Sequence, residues 1–544
     1  MSSDDRCLGR AAGLAIALLA ACALVPAAAQ PLPPARGPAA REVAIGLAAP
    51  PTSFDPHYHA HVPSLGLQLH VFEPLVFRDA ELHLVPALAR EWHPLADGTG
   101  WEFRLDPAAR FSDGASVTAA DVAATFARLP NVPNSPGRVT HYAAGVTAVE
   151  AAGPQVVRLR TAGPTPLVPE NLTALMIVPE RIARRAATAD FAAGRAAIGS
   201  GPFRLREYVA GERVVVERND AWWRRGPAPS WARVVFRVIA NDAARVAALR
   251  AGDVQLIEAV PVHDAASLAG DPAVALARAP SLRLIYLALD VARVPSPGVS
   301  DADGRRLAAR NPLADRRVRR ALSLAIDREA IVGRLMEGQA VATGQLQPAG
   351  LGVADPALRP DPYDPGMARR LLAEAGWGGG FGLTLAGPND RYVNDERILQ
   401  AVAQYWERVG VRTRVEALPS AVFFSRSAAG AYSAQLTGWL TNSAEPANMV
   451  AALLLTPGRA PGWGVANRSG YSSAELEAIY ARVTAEPLRD QRLRDWHALV
   501  RIAMADAPVL PLHHQVNIWA TRRGLIYTPR PDEFTLATEL RPAP

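Results

Sequence analysis

Residues 231 to 260 constrain the fold most, because they read as a strand, a helix and a second strand in direct succession. WARVVFRVIA reads as the first strand. Asn241 and Asp242 then provide the cap of the helix AARVAALRAG, and VQLIEAVP returns as a strand. A strand–helix–strand unit of this kind predicts an α/β architecture.

The second half of the chain repeats this succession. The predicted strands are SLRLIYLALD, FGLTLAG, RTRVEAL and YSAQLTGWL, and the predicted helices are DRRVRRALSLAIDREAIVGRLM and ERILQAVAQYWERVGV. A chain of 544 residues is longer than one hydrophobic core usually organises. We therefore expect two or three lobes with a ligand cleft between them, lined by loops such as TGWLTNSAEP that follow strands.

Further elements are predicted in the first half and near the C-terminus. EVAIGLAA and WEFRLD read as strands, LGLQLHVFEPLVF has helical spacing, and Thr118 caps the helix AADVAATFARL. PFRLREYVAGERVVVERND reads as a hairpin. LPLHHQVNIWATRRGLIY reads as a late pair of strands, and we expect it to return to the first lobe.

The N-terminal residues have the parts of a secretory signal peptide. Arg6 and Arg10 precede the apolar run AAGLAIALLAACALV, and the A-A-A that follows resembles a cleavage site after Ala29. This run is too short to cross a bilayer. The alternative is a lipobox, the residues LAAC ending at Cys22, whose cysteine would carry a lipid anchor. Both interpretations predict an exported, periplasmic protein.

The use of cysteine and of basic residues excludes several kinds of site. Cys7 and Cys22 are the two cysteines, so the processed chain would have no disulfide and no thiolate site. All 58 basic residues are arginine, which excludes a Walker A lysine and a Schiff-base lysine. The formal charge of +6 is not gathered in a basic block, so no nucleic-acid partner is expected.

Recognisable enzyme signatures are missing from the sequence. It has neither a G-x-S-x-G elbow nor an H-E-x-x-H helix, and the glycines of GWGGGFG miss the dinucleotide-binding spacing. These absences favour binding over catalysis, and no cofactor is expected. A secreted hydrolase that lacks a familiar motif is the alternative.

The stretch HYHAH has the residue types of a metal site. If it is extended, His57, His59 and His61 project to one face, where they could hold Ni²⁺ or Zn²⁺. His513 and His514 would join them if the last strands return to the first lobe. The other interpretation, which we favour, is a polar loop that binds no metal and whose histidines bond to each other, to backbone or to ligand.

An aromatic pair and a basic run are interpreted as structural. Trp222 and Trp223 close a hairpin, where such pairs more often pack than stack on a ligand. In RRVRR, residues 316 to 320, helical spacing places three arginines near one face while Val318 and Leu322 pack inward. We therefore expect a solvated surface there.

The order of motifs along the chain resembles that of the extracytoplasmic solute-binding proteins of peptide and nickel type (family 5) that serve ABC importers. Each motif is weak alone, but their order and spacing are specific. The matching stretches are SFDPHYH, LVPALAREW, FSDGASVTAADV, IGSGPFRLREYVAGERVVVERNDAWW, VRRALSLAIDREAIV, GPNDRYVND, TGWLTNSAEP and GYSSAELEAIY.

This resemblance implies a two-lobed periplasmic-binding-protein fold of type II, with an extra subdomain in the N-terminal lobe and a ligand cleft between the lobes. The implied boundaries are signal peptide 1–29, linker 30–40, lobe I 41–75 and 200–279, extra subdomain 76–199, lobe II 280–507 and a return to lobe I at 508–544. The implied function is capture of a peptide, a peptide-like compound or another small organic solute and its delivery to the membrane permease. A monomer is expected.

The resemblance also implies ligand contacts around the G-W motif at Trp439. In dipeptide- and oligopeptide-binding relatives, the third residue after this tryptophan is an aspartate that pairs with the peptide ammonium. Here the position is Asn442, an amide that supplies no countercharge, so peptides with a free amino terminus are disfavoured. Thr441 and Asn442 are expected to contact the ligand. Glu445 either supplies the missing charge or is structural.

Arg391 in NDRY resembles the arginine that relatives use against a ligand carboxylate. The alternative is an ion pair of this arginine with a neighbouring acidic residue, Asp390, Asp395 or Glu396.

The remaining expected contacts complete the site. Trp439 and Tyr392 are expected as apolar walls, with the loop of His57 and His59 on the side of the first lobe. The expected ligand is thus a small organic anion, a modified peptide or an opine-like compound. A metal or metal-chelate cargo is the alternative.

Overall fold

The computed structural model describes residues 42–136, 139–224, 226, 228–350, 353–441, 445–460 and 462–544. The strands of this part are, in chain order, β1 (Glu42–Leu47), β2 (Val76–Arg78), β3 (Leu84–Pro86), β4 (Ala89–Pro94), β5 (Gly100–Leu105), β6 (Val146–Ala151), β7 (Val156–Thr161), β8 (Phe203–Val209), β9 (Arg213–Arg218), β10 (Arg233–Val238), β11 (Leu256–Ile257), β12 (Val274–Leu289), β13 (Ala340–Ala342), β14 (Phe381–Pro388), β15 (Val411–Leu418), β16 (Ala434–Leu440), β17 (Val509–Arg522), β18 (Leu525–Tyr527) and β19 (Leu540–Pro542).

The helices alternate with these strands in much of the chain. In chain order they are α1 (Val62–Gln68), α2 (Ala119–Arg128), α3 (Val168–Asn171), α4 (Glu180–Arg185), α5 (Thr188–Ala192), α6 (Asp242–Ala251), α7 (Val262–Ala269), α8 (Arg316–Leu324), α9 (Arg328–Ala330), α10 (Pro365–Glu374), α11 (Asp395–Glu407), α12 (Ser420–Ala428), α13 (Ala447–Leu454), α14 (Ala474–Ala485) and α15 (Arg489–Asp506). Among the described residues, no helix combines the length and the apolar character needed to cross a membrane.

One large sheet joins the two halves of the molecule. Its strand order is β15-β14-β16-β12-β17-β11-β1-β10-β9-β8, with β13 added on β17. The long strands β12 and β17 run antiparallel, from Val274 opposite Arg522 to Ala288 opposite Val509. The chain therefore crosses from the first half of the sheet to the second on β12 and returns on β17.

The strand–helix–strand unit at residues 231 to 260 is confirmed. Strand β10 leads into α6, and β10 and β11 lie parallel to β1 on its two sides. The side chain of Asn241 accepts a hydrogen bond from the backbone N–H of Ala244 at 2.9 Å, as the sequence predicts for an N-cap. The capping box at Thr118 and Asp121 is formed as well.

The buried apolar residues form separate cores in the two halves of the sheet. Two cores draw on residues before 275 and after 517, and three draw on residues 262 to 512. This division, with the long crossing strands, gives the predicted two-lobed α/β fold. The lobe limits at 279/280 and 507/508 fall within β12 and just before β17, and the exact residue limits stay a prediction.

A second, antiparallel sheet of four strands lies within the range predicted for the extra subdomain. Its order is β4-β5-β7-β6. Phe103 and Val157 from this sheet are fully buried in the same core as Val43 of β1. The sheet is thus attached to the first lobe by a shared core, while the limits 76–199 of a subdomain stay a prediction.

Three local predictions are wrong. The predicted long helix from residue 315 to 336 is interrupted, because the Asp327 side chain accepts from the N–H of Ala330 and begins a new short helix. The stretch LGLQLHVFEPLVF is helical only to Gln68. The two late strands do not pair with each other, since β18 pairs with β19 while β17 pairs with β11, β12 and β13.

The end of α1 has a clear tertiary cause. After the helix, the carbonyls of His70 and Val71 accept hydrogen bonds from the N–H groups of Phe203 and Gly201. A Cβ on Gly199 would lie 1.9 Å from the carbonyl oxygen of Val71, so this approach requires glycine. The GSG stretch at residues 199 to 201 is therefore a packing feature.

Candidate ligand-binding cleft

A cavity of about 1250 Å³ lies between the two lobes. It is lined at the carboxyl ends of parallel strands of both lobes, by residues that follow β1, β10 and β11 and by residues that follow β14. Open α/β sheets bind ligands at this edge, because there the loops diverge and leave a crevice. The volume suits a small organic molecule.

Arg391 follows β14 and faces this cleft. Its backbone N–H and that of Tyr392 both donate to Asp395 Oδ2, each at 3.0 Å, so the carboxylate holds the loop. The guanidinium lies 5.2 Å from the centre of the Tyr392 ring. Among the described residues it has no carboxylate within ion-pair distance, so the alternative of a neighbouring ion pair is not what the structure shows.

The electrostatic setting of Arg391 favours an anionic partner. Burial and the nearby charge of Arg283 both lower the pKa of its guanidinium, while Glu533 and Asp395 raise it. An arginine remains charged under these conditions. An anion in the cleft would therefore pair with a guanidinium that has no bonded carboxylate among the described residues.

Tyr392 and Trp439 lie beside Arg391 and form part of the cleft wall, as expected. Tyr392 is buried, and its hydroxyl donates to the carbonyl of Gly438 at 3.2 Å. The indole Nε1 of Trp439 is buried and has no hydrogen-bond acceptor among the described residues.

Two described residues expected around the G-W motif, Thr441 and Glu445, do not line this cleft. Asn442 lies outside the described residues. Thr441 donates to Asn448 Oδ1 at 3.1 Å and borders a separate small cavity. Glu445 is buried in the second lobe, where it pairs with Arg492 at 2.9 Å and accepts from Trp496 Nε1 at 2.9 Å. Its carboxylate is therefore structural in this structure.

His57 is turned into the first lobe. Residues 55 to 58 form a turn closed by the Tyr58 N–H on the Asp55 carbonyl at 3.2 Å, so the segment is not extended. His57 Nε2 lies 2.8 Å from the carbonyl of Met176, and its Nδ1 lies 2.8 Å from Nη1 of Arg128. Burial, with the charge of Arg128, lowers its pKa to about 4, so the imidazole is neutral and has a structural role.

His59 and His61 stack near the cleft. Their rings are 5.1 Å apart and nearly parallel, at 9°. His59 Nδ1 is 3.0 Å from Thr52 Oγ1. His61 lines the cleft, and burial, with charge repulsion from His59 and two arginines, lowers its pKa to about 4.

The three-histidine metal site considered for HYHAH is not assembled among the described residues. No group of three His, Cys, Asp or Glu residues there could hold a metal ion. The turn at residues 55 to 58 directs His57 away from His59 and His61. His513 and His514 are buried in β17 beside Ile285 and Leu284 of β12. His57 bonds to backbone and His59 to Thr52, while the absence of a bound metal stays a prediction.

The structure brings an ion pair into the cleft that sequence reasoning missed. Arg283, in β12, donates from Nε and Nη2 to the two oxygens of Glu533, at 2.8 and 2.6 Å. Both residues line the cavity. A single arginine within the apolar stretch SLRLIYLALD was the available signal, because a charge in such a strand needs a partner.

The aromatic pair and the basic run have the structural roles that were expected. Trp223 packs on the first core and donates from Nε1 to Glu73 Oε2 at 2.9 Å. In α8, Arg316 and Arg320 are exposed while Val318 and Leu322 are buried. Neither feature lines the cleft among the described residues.

A sequence profile of bacterial extracellular solute-binding proteins, described as "family 5 Middle", matches residues 83–460. The glutathione-binding protein GsiB of Escherichia coli O1:K1 / APEC is 26% identical over 516 residues, which cover 92% of this chain and 92% of that protein. The profile covers more than half of the chain, including Arg391, Tyr392 and Trp439.

Solved structures of low sequence identity share the fold. NikA from Brucella suis in complex with Fe(III)-EDTA superposes with a TM-score of 0.79 at 21% identity, over 92% of this chain and 100% of that one. The binding protein AgaA of A. tumefaciens R10 in complex with agropinic acid gives a TM-score of 0.75 at 21% identity, over 92% and 99%. Both agree with the two-lobed architecture described above.

Proposed function

Because this chain belongs to family 5 of the bacterial extracellular solute-binding proteins, we propose that it captures a small, carboxylate-bearing, peptide-like solute and delivers it to the permease of an ABC importer. Members of this family are transport components rather than enzymes, and they pass small peptide-like ligands to ABC permeases. The proposal adds the charge of the ligand and the residues that bind it.

The guanidinium of Arg391 is the single observation that carries the proposal. It faces a cleft of about 1250 Å³ and has no carboxylate within ion-pair distance among the described residues. A planar guanidinium can hold a carboxylate through two parallel hydrogen bonds. Tyr392 and Trp439 line the same cavity and would pack on the rest of the ligand.

Relatives support this chemistry. GsiB is named for glutathione, and AgaA was solved with agropinic acid. Glutathione is a γ-linked peptide with two carboxylates, and its free α-ammonium sits on the same carbon as one of them, so the ligand itself supplies a countercharge. It is therefore the first ligand to test, and an opine is the second. Asn442 stays a predicted contact.

A chelated metal is the second candidate cargo. NikA was solved with Fe(III)-EDTA, a metal complex whose chelator is rich in carboxylates. The cleft supplies a guanidinium and no cluster of metal ligands among the described residues. Such a cargo would therefore be held through the carboxylates of its chelator.

Export and oligomeric state complete the proposal. Family 5 proteins are periplasmic. We propose export by the signal peptide at residues 1–29, with lipid attachment to Cys22 as the alternative, and a monomeric mature chain. The mass of the processed protein distinguishes the two N-termini, because only a lipoprotein begins at Cys22 and carries acyl chains.

Isothermal titration with glutathione tests the function. Wild type is expected to bind one molecule, and Arg391→Gln is expected to weaken binding by about 10- to 100-fold, since a hydrogen bond to a charged group contributes about 1.5–3 kcal/mol. The control is Arg305→Gln, a side chain that is 80% exposed and should leave affinity unchanged. Equal affinity of Arg391→Gln and wild type would refute the assignment.

A further inference from the structure

Arg283 and Glu533 form an ion pair, and both residues line the cleft. Glu533 accepts two hydrogen bonds from Arg283 and a third from Ser281 Oγ at 3.0 Å. These three contacts hold the carboxylate of Glu533 and the Nε and Nη2 atoms of Arg283 in place. Nη1 of Arg283 has no hydrogen-bond acceptor among the described residues, so part of this guanidinium is available to a ligand.

The backbone of Glu533 is in an unusual conformation. Its φ is +67°, in the left-handed region that residues with a Cβ rarely adopt. The neighbouring Asp532 holds this turn, because its carboxylate accepts from the Phe534 N–H and from the guanidinium of Arg530. Strained backbone of this kind is concentrated at binding sites, where the surrounding structure maintains it.

Arg391 approaches the same place from the second lobe. Arg283 lies in β12 opposite Leu440 of β16, and Arg391 adjoins Tyr392, which bonds to Gly438 of the same strand. The charges of Arg283 and Glu533 both act on Arg391. Two guanidinium groups therefore stand near one carboxylate, and the Arg391 charge is the one without a bonded counterion.

We propose that Arg283 is a second arginine for the acid group of the ligand and that it binds the same ligand carboxylate as Arg391. Glu533 holds Arg283 in place, and its negative charge limits this part of the cleft to a single compact oxyanion. The choice of ligand rests on the proposed function. The new element is Arg283, which would link the ligand anion to β12, the strand that joins the lobes. His61 also lines the cleft, and the charges of both arginines act on it.

Two variants separate this role from a purely structural ion pair. The double variant Arg283→Gln/Glu533→Gln removes both charges, so neither residue is left buried with an unpaired charge. It is expected to bind glutathione about tenfold more weakly than wild type. Glu533→Gln alone keeps Arg283 and removes the negative charge, so it is expected to bind glutathione about threefold or more tightly.

The outcome with glutathione decides between the roles. Binding of the double variant within about twofold of wild type would overturn the second-arginine role while leaving the importer function intact. Tighter binding of Glu533→Gln supports the limiting role of Glu533. The control is Arg305→Gln, and circular dichroism of each variant checks folding.

Inorganic phosphate serves as a second probe, because it tests the two arginines even if the wild type does not bind glutathione. Inorganic phosphate is titrated at constant ionic strength and the melting temperature is followed. If wild type does not bind glutathione, the first ligand of the proposed function is wrong, and phosphate alone tests the two arginines. A saturable rise in melting temperature in wild type that is lost in the double variant supports the proposal. Equal behaviour of the two proteins overturns it.

Discussion

Glu445 and Glu533 show how neighbours decide the role of a carboxylate. Both are acidic residues near the cleft strands, but Glu445 is enclosed with Arg492 and Trp496 inside the second lobe. Glu533 instead lines the cleft with Arg283. The attraction within a buried ion pair does little more than offset the cost of desolvating its two charges. Removing one partner, however, leaves the other as a buried unpaired charge, which is strongly destabilising. The two residues therefore differ in what their replacement should affect.

Replacing Glu445 tests its structural role. Glu445→Gln leaves Arg492 buried without its counterion, so the free energy of unfolding is expected to fall by about 3–5 kcal/mol. Urea denaturation followed by circular dichroism measures this. The control is Glu407→Gln, an exposed residue at the end of α11, whose change should stay within about 0.5 kcal/mol. A normal stability combined with lost ligand affinity would instead make Glu445 a ligand contact.

At the scale of elements, β16 positions the wall of the cleft. It pairs with β12 through seven residues, from Ala434 opposite Leu289 to Leu440 opposite Arg283. Gly438 allows the Tyr392 ring to approach, because a Cβ there would lie 2.9 Å from Tyr392 Cε1 and 2.9 Å from Ile285 Cδ1. Arg283 and Arg391 reach the cleft on either side of this strand.

Adding a methyl group at Gly438 should displace Tyr392. Gly438→Ala is expected to cost about 1–3 kcal/mol of stability through overpacking, and to weaken ligand binding as well because the ring forms part of the cleft wall. Gly333→Ala is the matched control, since its Cβ would meet nothing within 4 Å. Melting temperature and titration calorimetry measure the two effects. Unchanged affinity in Gly438→Ala would show that Tyr392 is not a required wall.

At the scale of the whole molecule, neutral histidines are buried in the first lobe and in the crossing strand β17. Burial lowers the pKa of His57 and His70 in the first lobe, and of His513 in β17, to about 4. The ordinary value is 6.5, so between these values the unfolded chain binds protons that the folded chain does not. The contribution of these histidines to the free energy of unfolding is therefore fully present above pH 6.5 and is lost as pH falls toward 4.

The pH dependence of unfolding tests this balance. Each such histidine is expected to add up to about 1.4 kcal/mol per pH unit to the slope of stability between pH 6.5 and 4. His513 has no hydrogen-bond partner for either ring nitrogen among the described residues, so His513→Leu should flatten the slope without losing a bond. Urea midpoints across this range measure the slope. The exposed His83→Gln is the control, and an equal slope in His513→Leu would contradict the prediction.

Local patterns in the sequence were sufficient for the architecture. The unit at residues 231 to 260, the cap at Thr118 and most strands are encoded by neighbours within one or two turns, so they could be predicted. The motif order predicted the family, and Arg391, Tyr392 and Trp439 line the cleft. Binding to these residues stays a prediction until a ligand is measured.

Contacts between distant residues were decided by the tertiary structure. Arg283 and Glu533 are 250 residues apart and meet only because the C-terminal segment folds back to the cleft. The turn at residues 55 to 58 directs His57 into the first lobe, and Arg492 encloses Glu445. The sequence by itself therefore determined the fold class and the family, which depend on local periodicity and motif order. The partner of each charge depends on packing across the lobes, and only the tertiary structure determined it.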